Sequence, residues 1–217
     1  MGMSTSKKGI LLIGAGALAR DIVDCFGAGT FIAAYVDPKF AVAAVGVVPM
    51  VTDWDEARRR ASHYVLGVSD IAHRERARNA AAAAGLLPAA PLVSSLARVA
   101  GDAQLAPGCM VGHFAVIGPA ARLGVDTLLM HAAIVAHDSS VEEGSVLCAG
   151  ACINGNAAIG PRCFVGPNAV VLPNVRIGHD SFVAAGAVCF RDAPARSFLL
   201  GNPARRRTPP KPKPSAP

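Results

Sequence analysis

A Rossmann-like α/β domain of βαβαβα order, followed by an all-β left-handed parallel β-helix of hexapeptide repeats, is the fold class that three observations predict. Stepping in sixes from Val99 meets an aliphatic side chain at fifteen consecutive stops: Val99, Leu105, Val111, Ile117, Leu123, Leu129, Val135, Val141, Leu147, Ile153, Ile159, Val165, Val171, Ile177 and Val183. Two residues before each stop, from Ala97 to Ser181, the side chain is small everywhere except Val175. Ahead of the repeat, the chain opens as strand, Gly-rich turn and helix.

A strict period of six is neither the helical 3.6 nor the strand alternation of 2. It is the period of a β-helix in which each hexad makes one short strand and one turn and three hexads close a triangular coil. Fifteen hexads make five coils of eighteen residues. The aliphatic stop points into the prism, and the small residue sits where a corner leaves no room. Gly often follows the stop (Gly112, Gly118, Gly124, Gly160, Gly166, Gly178) and is read as supplying positive φ at the turn.

In chain order, residues 1–8 are polar and expected to be disordered. Gly9 to Ile13 reads as a buried strand, Gly14-Ala15-Gly16-Ala17-Leu18-Ala19 as a turn, and Arg20 to Phe26 as a helix. The turn has the form G-x-G-x-x-A, whose glycines let backbone approach a phosphate while the helix N-terminus offers free N–H groups. A second strand, Phe31 to Val36, ends in Asp37, about twenty residues past the glycines, where an acid commonly meets a ribose or base. Pro49 to Val51 and Asp53 to Ala57 follow as a short strand and a capped helix, His63 to Val68 as a third strand, and Ile71 to Gly85 as an Ala- and Arg-rich helix. The division expected is 9–90 for a nucleotide-binding domain, 91–190 for the β-helix, and 191–217 for a C-terminal segment with a disordered basic, Pro-rich tail from Arg206.

Composition narrows the function classes. The 217 residues are 52% hydrophobic, 17% charged and only 5% aromatic. No apolar stretch has the length of a membrane span and no secretory signal is visible, so a cytoplasmic protein without a membrane partner is expected. The six Cys show no zinc spacing and are read as reduced core residues. The net charge of +6 gathers near the termini, at Lys7, Lys8, Arg196, Arg205, Arg206, Arg207, Lys211 and Lys213, without interleaved aromatics. That favours an anionic small ligand over nucleic acid.

His113, His131, His137 and His179 each fall two residues after an aliphatic stop and point outward. His113 and His131 are eighteen apart and should stack on one edge, with His137 round the next corner. An outward histidine is often only a solvated residue. His137 differs because Asp138 follows it, and a carboxylate that fixes one imidazole tautomer prepares the other nitrogen for general-base work. Histidines gathered around a zinc between subunits are a competing reading, but spacings of 18 and 6 give no reason to converge, and no metal is expected.

These residues resemble the two-domain hexapeptide-repeat acyltransferases that include bacillosamine and perosamine N-acetyltransferases and sialic acid O-acetyltransferases. The resemblance rests on Gly14-Ala15-Gly16, Tyr35-Val36-Asp37, Gly67-Val68-Ser69-Asp70 through Arg74, His137-Asp138, Leu172-Pro173-Asn174 and Gly201-Asn202-Pro203-Ala204. It implies a homotrimer with active sites between neighbouring β-helices, a nucleotide-sugar on the N-terminal domain at Gly14, Ala15, Gly16 and Asp37, and acetyl-CoA along the groove. It implies His137 as general base with Asp138 orienting it, direct transfer without an acyl-cysteine, pantetheine contacts at Gly155 and Ala185, and Arg205 as a cation for a CoA phosphate. Two positions depart from the pattern, with Leu18 and Val146 standing where histidines are usual. An N-acetyltransferase acting on a nucleotide-linked amino-deoxy sugar is the reading favoured. A sugar O-acetyltransferase, a metal-dependent β-helix lyase and a non-catalytic scaffold are the alternatives.

Overall fold

The computed structural model describes residues 9–39 and 45–208. Expectations for residues 1–8 and for the tail beyond 208 lie outside them. The first part is a parallel sheet of β1 (Gly9–Ile13), β2 (Phe31–Tyr35), β3 (Met50–Val51), β4 (Ala61–Leu66) and β5 (Leu87–Pro88), in the order β3-β2-β1-β4-β5. Three helices, α1 (Ala17–Phe26), α2 (Trp54–Arg60) and α3 (Ile71–Ala83), connect its strands. Asp53 and Asp70 cap α2 and α3, each side chain accepting from the backbone N–H three residues on. Gly14 has φ +125°, and a Cβ there would lie 2.6 Å from Gly67 O, so the crossing of the β1 and β4 ends requires glycine.

The second part is the β-helix. Its first face, joined by β-strands from Leu92–Val93 through Phe182–Val183, gains two final strands, Phe198–Leu200 and Arg205–Arg207. The second face runs from Arg98–Val99 to Val188–Cys189 and the third from Gln104–Leu105 to Arg176–Ile177. Pairing is parallel with residue i opposite i+18, as between Val116 and Ile134 or Leu128 and Val146. The winding therefore starts one hexad before the repeat read from the sequence. It also outlasts Phe190, because Ala193 bridges Ile177 and Phe198–Leu200 rejoins the first face. Arg206 and Arg207 are paired there with Leu199 and Phe198, an ordered strand where a disordered tail was expected.

The aliphatic stops are the core: Val111, Leu129, Val135, Leu147, Ile153, Ile159, Val165, Val171 and Val183 are all 0% exposed. The small register is buried beside them, and its hydroxyls and thiols satisfy turn carbonyls of the next coil. Ser139 Oγ donates to Asn154 O at 2.7 Å, and Ser145 Oγ donates to Gly160 O at 2.9 Å. One expectation fails. Positive φ does not fall on the glycine after the stop but two residues later, at Asp126, Asp138, Asn156, Asn168, Asn174 and Asp180 and at Gly108, Gly144, Gly150 and Gly186. Asp and Asn tolerate that region better than most residues. The glycine after the stop answers a different need, because a Cβ on Gly118 would sit 2.7 Å from His137 N and one on Gly124 2.5 Å from Glu143 N.

The N-terminal domain lies on the first face. Met110, Leu128 and Val146 point outward from the prism yet are at most 3% exposed, because Ala15, Ala19 and Ile22 of the domain pack over them. Arg74 of α3 is buried at this junction. It donates to Leu66 O at 3.0 Å, Val68 O at 2.7 Å and Asp126 O, while Tyr64 donates to the Asp126 carboxylate at 3.1 Å. Burial pulls the Arg74 guanidinium down to about 10. On the same edge, Arg162 holds Asp180 through two bonds of 2.6 and 2.9 Å.

Two measurements check this packing. Gly124→Ala should lose about 1–3 kcal/mol in denaturant unfolding, whereas Gly101→Ala, with nothing within 4 Å, should stay within about 0.5 kcal/mol. The Asp180 carboxyl is held down to about 2, chiefly by its hydrogen bond from Arg162. A depressed carboxylate stabilises the fold fully above its unfolded value of about 3.9, and that contribution is lost as pH falls through the folded value. Carboxyl NMR titration should place Asp180 near 2 in the native protein and return it toward about 4 in Arg162→Leu.

Candidate active site

His137 sits on the turn between the second and third faces, on an edge shared with Gly155 one coil further along the chain. Its Nδ1 pairs with Asp138 Oδ2 at 2.9 Å, and both side chains are more than half exposed. Asp138 can reach back because it occupies the turn position with φ +57°. The imidazole lies over Gly155, and a Cβ there would come 2.5 Å from His137 Nε2. Among the described residues, Nε2 and the Gly155 N–H have no hydrogen-bond partner. With Asp138 accepting from Nδ1–H, Nε2 is left as the basic nitrogen, open to solvent beside a backbone N–H.

A His–Asp hydrogen bond at this turn is not unique. His179 and Asp180 repeat it at 2.6 Å on the edge between the third and first faces. There the carboxylate is already held by Arg162. What separates His137 is the glycine under its ring and the edge it occupies.

The sequence-predicted substrate residues come together elsewhere. Gly14, Ala15, Gly16 and Asp37 line one cavity of about 500 Å³ at the carboxyl ends of β1 and β2. Tyr35, Trp54 and Val68, with His73, Arg76, Ala77 and Ala80 of α3, also line it. Tyr35 and Trp54 stack with ring centroids 3.9 Å apart. The Asp37 carboxylate accepts from Lys39 N at 3.0 Å and closes the strand-end turn. The sequence reading did not single out the α3 residues. Their signal was the spacing i, i+3, i+4, i+7 of His73, Arg76, Ala77 and Ala80, one helix face with two small residues.

The remaining predicted residues are spread out. Ala185 is exposed on the edge between the first and second faces, three coils on from His131 and not on the edge of His137. Arg205 is exposed in the last strand, opposite Leu200. Leu18 packs toward Met110, Met130 and His131. Val146 is 0% exposed beneath the N-terminal domain, so this position does not lie beside His137 within one chain. His113 and His131 do stack, with centroids 5.6 Å apart, but α1 covers them: His113 Nδ1 lies 2.6 Å from Ser94 Oγ and 3.5 Å from Cys25 Sγ. Burial pushes the thiols of Cys109, Cys148, Cys163 and Cys189 up to about 11, which makes them poor nucleophiles. Cys25 and Cys152 are partly exposed, unlike the core residues expected.

Residues 156–191 match the family model of bacterial transferase hexapeptide (six repeats). Comparison with curated proteins finds no match. Among solved structures, the chain is similar to perosamine N-acetyltransferase from Caulobacter crescentus, seen as a histidine-to-asparagine variant in complex with CoA and GDP-perosamine. The identity is 26% and the TM-score 0.84, over 93% of this chain and 97% of that one. The acetyltransferase domain of PglB from Neisseria gonorrhoeae, in complex with acetyl coenzyme A, shares the fold at 23% identity and TM-score 0.83, over 93% and 100% of the two chains. WeeI from Acinetobacter baumannii does so at 20% and 0.77, over 92% and 99%. No helix among the described residues is long and apolar enough to cross a membrane. The chain carries hexapeptide repeats and, along nearly its whole length, shares the two-domain fold of the perosamine N-acetyltransferase.

Proposed function

We propose that the protein is an acetyl-CoA-dependent N-acetyltransferase acting on the amino group of a nucleotide-linked amino-deoxy sugar. Residues 9–90 would hold the nucleotide-sugar, 91–190 would carry the transfer, and 191–217 would supply the C-terminal cation, Arg205. The observation that carries the reading is the exposed His137–Asp138 pair over Gly155, on the fold shared with a perosamine N-acetyltransferase.

In this reading the neutral amine attacks the thioester carbonyl. His137 Nε2 takes the proton from the attacking nitrogen while Asp138 holds the Nδ1–H. As the tetrahedral intermediate collapses, the imidazolium returns that proton to the departing CoA sulfur. The Gly155 N–H, without an acceptor of its own among the described residues, would steady the oxyanion. The high thiol values leave no cysteine prepared for an acyl intermediate.

Geometry within one chain supports a site shared between copies. The N-terminal domain covers the first face, and His137 lies on the edge opposite that face. The sugar pocket and the base therefore look away from each other in the same chain. Past Arg98, the second face, bounded by the His137 edge, presents the outward residues Val116, Ile134, Cys152, Val170 and Val188, an apolar stripe with Val116 39% and Ile134 38% exposed. Packing this stripe in a homotrimer sets the His137 edge of one copy against the Ala185 edge of the next. Gly155 of one copy, with Ala185 and Arg205 of its neighbour, would then line one groove for acetyl-CoA.

His137→Ala should lower kcat by about two to four orders of magnitude without changing assembly. Gly155→Ala should push the ring from its place and cost about ten- to a hundredfold in kcat, with the Nδ1 proton resonance of His137 shifted. CoA-thiol release from acetyl-CoA, with UDP-, dTDP- and GDP-linked 4-amino-4,6-dideoxy sugars and free sialic acid as acceptors, tests both; turnover only on sialic acid would make the enzyme an O-acetyltransferase. Ile134→Asp should turn the trimer into monomers in sedimentation analysis.

A further inference from the structure

The cavity at Gly14–Gly16 has a wall that phosphate and sugar binding leave without a task. Tyr35 and Trp54 lie against each other at 3.9 Å and 23°, and both rings line the cavity. Across from them α3 presents Arg76, whose exposed guanidinium is the cavity's only Arg or Lys among its lining residues, and Ala77 and Ala80, whose small side chains keep the space open. An apolar core defect would not pair a cation with an aromatic wall, nor reach about 500 Å³ at the end of a parallel sheet. Asp37, beside Tyr35 and Val36 at the mouth, is the cavity's carboxylate. The arrangement has three chemistries in sequence: backbone N–H groups and a guanidinium for phosphates, a carboxylate for hydroxyls, and a flat π-surface.

We infer that Trp54 is the platform on which the base of a nucleoside diphosphate stacks, with Arg76 holding the diphosphate against the Gly14–Gly16 turn. The inference rests on the nucleotide-sugar reading and assigns the part of the ligand that reading leaves without a partner. A base stacked on an aromatic ring gains about 1–3 kcal/mol, whichever base it is. Trp54 therefore contributes affinity for the nucleoside and not for the diphosphate alone.

Trp54 is the only tryptophan of the chain, so its fluorescence reports on this wall alone. Full-length protein titrated with UDP, GDP and dTDP should show a saturable change in emission with at least one of them, and none with inorganic pyrophosphate or a free amino sugar. By calorimetry, Trp54→Leu should weaken the bound nucleoside diphosphate about ten- to a hundredfold and leave pyrophosphate and CoA binding unchanged. Arg76→Gln, at an exposed position that should not disturb folding, should weaken nucleoside diphosphate and pyrophosphate alike. Native affinity in Trp54→Leu, or an equal emission change from pyrophosphate or the free sugar, would overturn the platform. CoA binding without any nucleoside diphosphate binding would overturn both the platform and the nucleotide-sugar reading. Nucleotide binding with the Trp54 signal, but no acetyl transfer to any acceptor, would leave the platform standing and overturn the transferase reading alone.

Discussion

Where glycine follows an aliphatic stop, as at Gly118 and Gly124, successive coils of the β-helix approach so closely that a Cβ would meet the backbone of the next coil, and much of the molecule depends on that spacing. It keeps residue i opposite i+18 on all three faces, as the pairings Val116–Ile134, Arg122–Ser140 and Leu128–Val146 show. It selects glycine at positions such as Gly118 and Gly124. It also builds the candidate site, because the His137 ring fits only over a residue without a side chain, and Gly155 is that residue. The first contact is with backbone of the next coil and the second with a side chain of the preceding one, and both need a residue without a Cβ.

Each face then meets a different fate through its outward residues. Large apolar side chains on the first face, Met110, Leu128 and Val146, are covered by the N-terminal domain. The third face carries Gln104, Arg122, Ser140 and Arg176 and suits water. The second face is apolar beyond Arg98 and lies open in the single chain. A polar edge pair next to an open apolar face is what a site between copies would look like before its partner arrives. The buried Arg74, bonded to carbonyls of both parts, fixes where the cavity at Gly14–Gly16 stands relative to the β-helix.

Most of this fold was legible because the hexad period is a one-dimensional signal: every stop is set by its own coil and the coils on either side. The His137–Asp138 pairing was legible for the same reason, since both residues belong to one turn. What depended on distant contacts was not legible. The glycine that often follows a stop was read as a conformational device, yet the left-handed position lies two residues on, where Asp and Asn, and also Phe114 and Arg162, take it. Whether an outward residue is wet or covered depends on where the N-terminal domain docks, so the burial of Val146 and of the His113–His131 stack could not be read from spacing. The cavity wall of Trp54 and Arg76 joins two helices separated in sequence, and only folding brings their faces together.

The central claim is that His137 of one copy works on a sugar held by another. Mixed trimers test it most directly. His137→Ala chains carry an intact cavity, and Ala80→Leu chains, with the cavity filled, carry an intact His137; each alone should be nearly inactive. Assembled together at random, they should recover about a quarter of native turnover on a nucleotide-linked amino sugar, the share of neighbouring pairs that combine one good base with one good cavity. Mixed trimers as inactive as either parent would contradict the account and place base and sugar in the same chain.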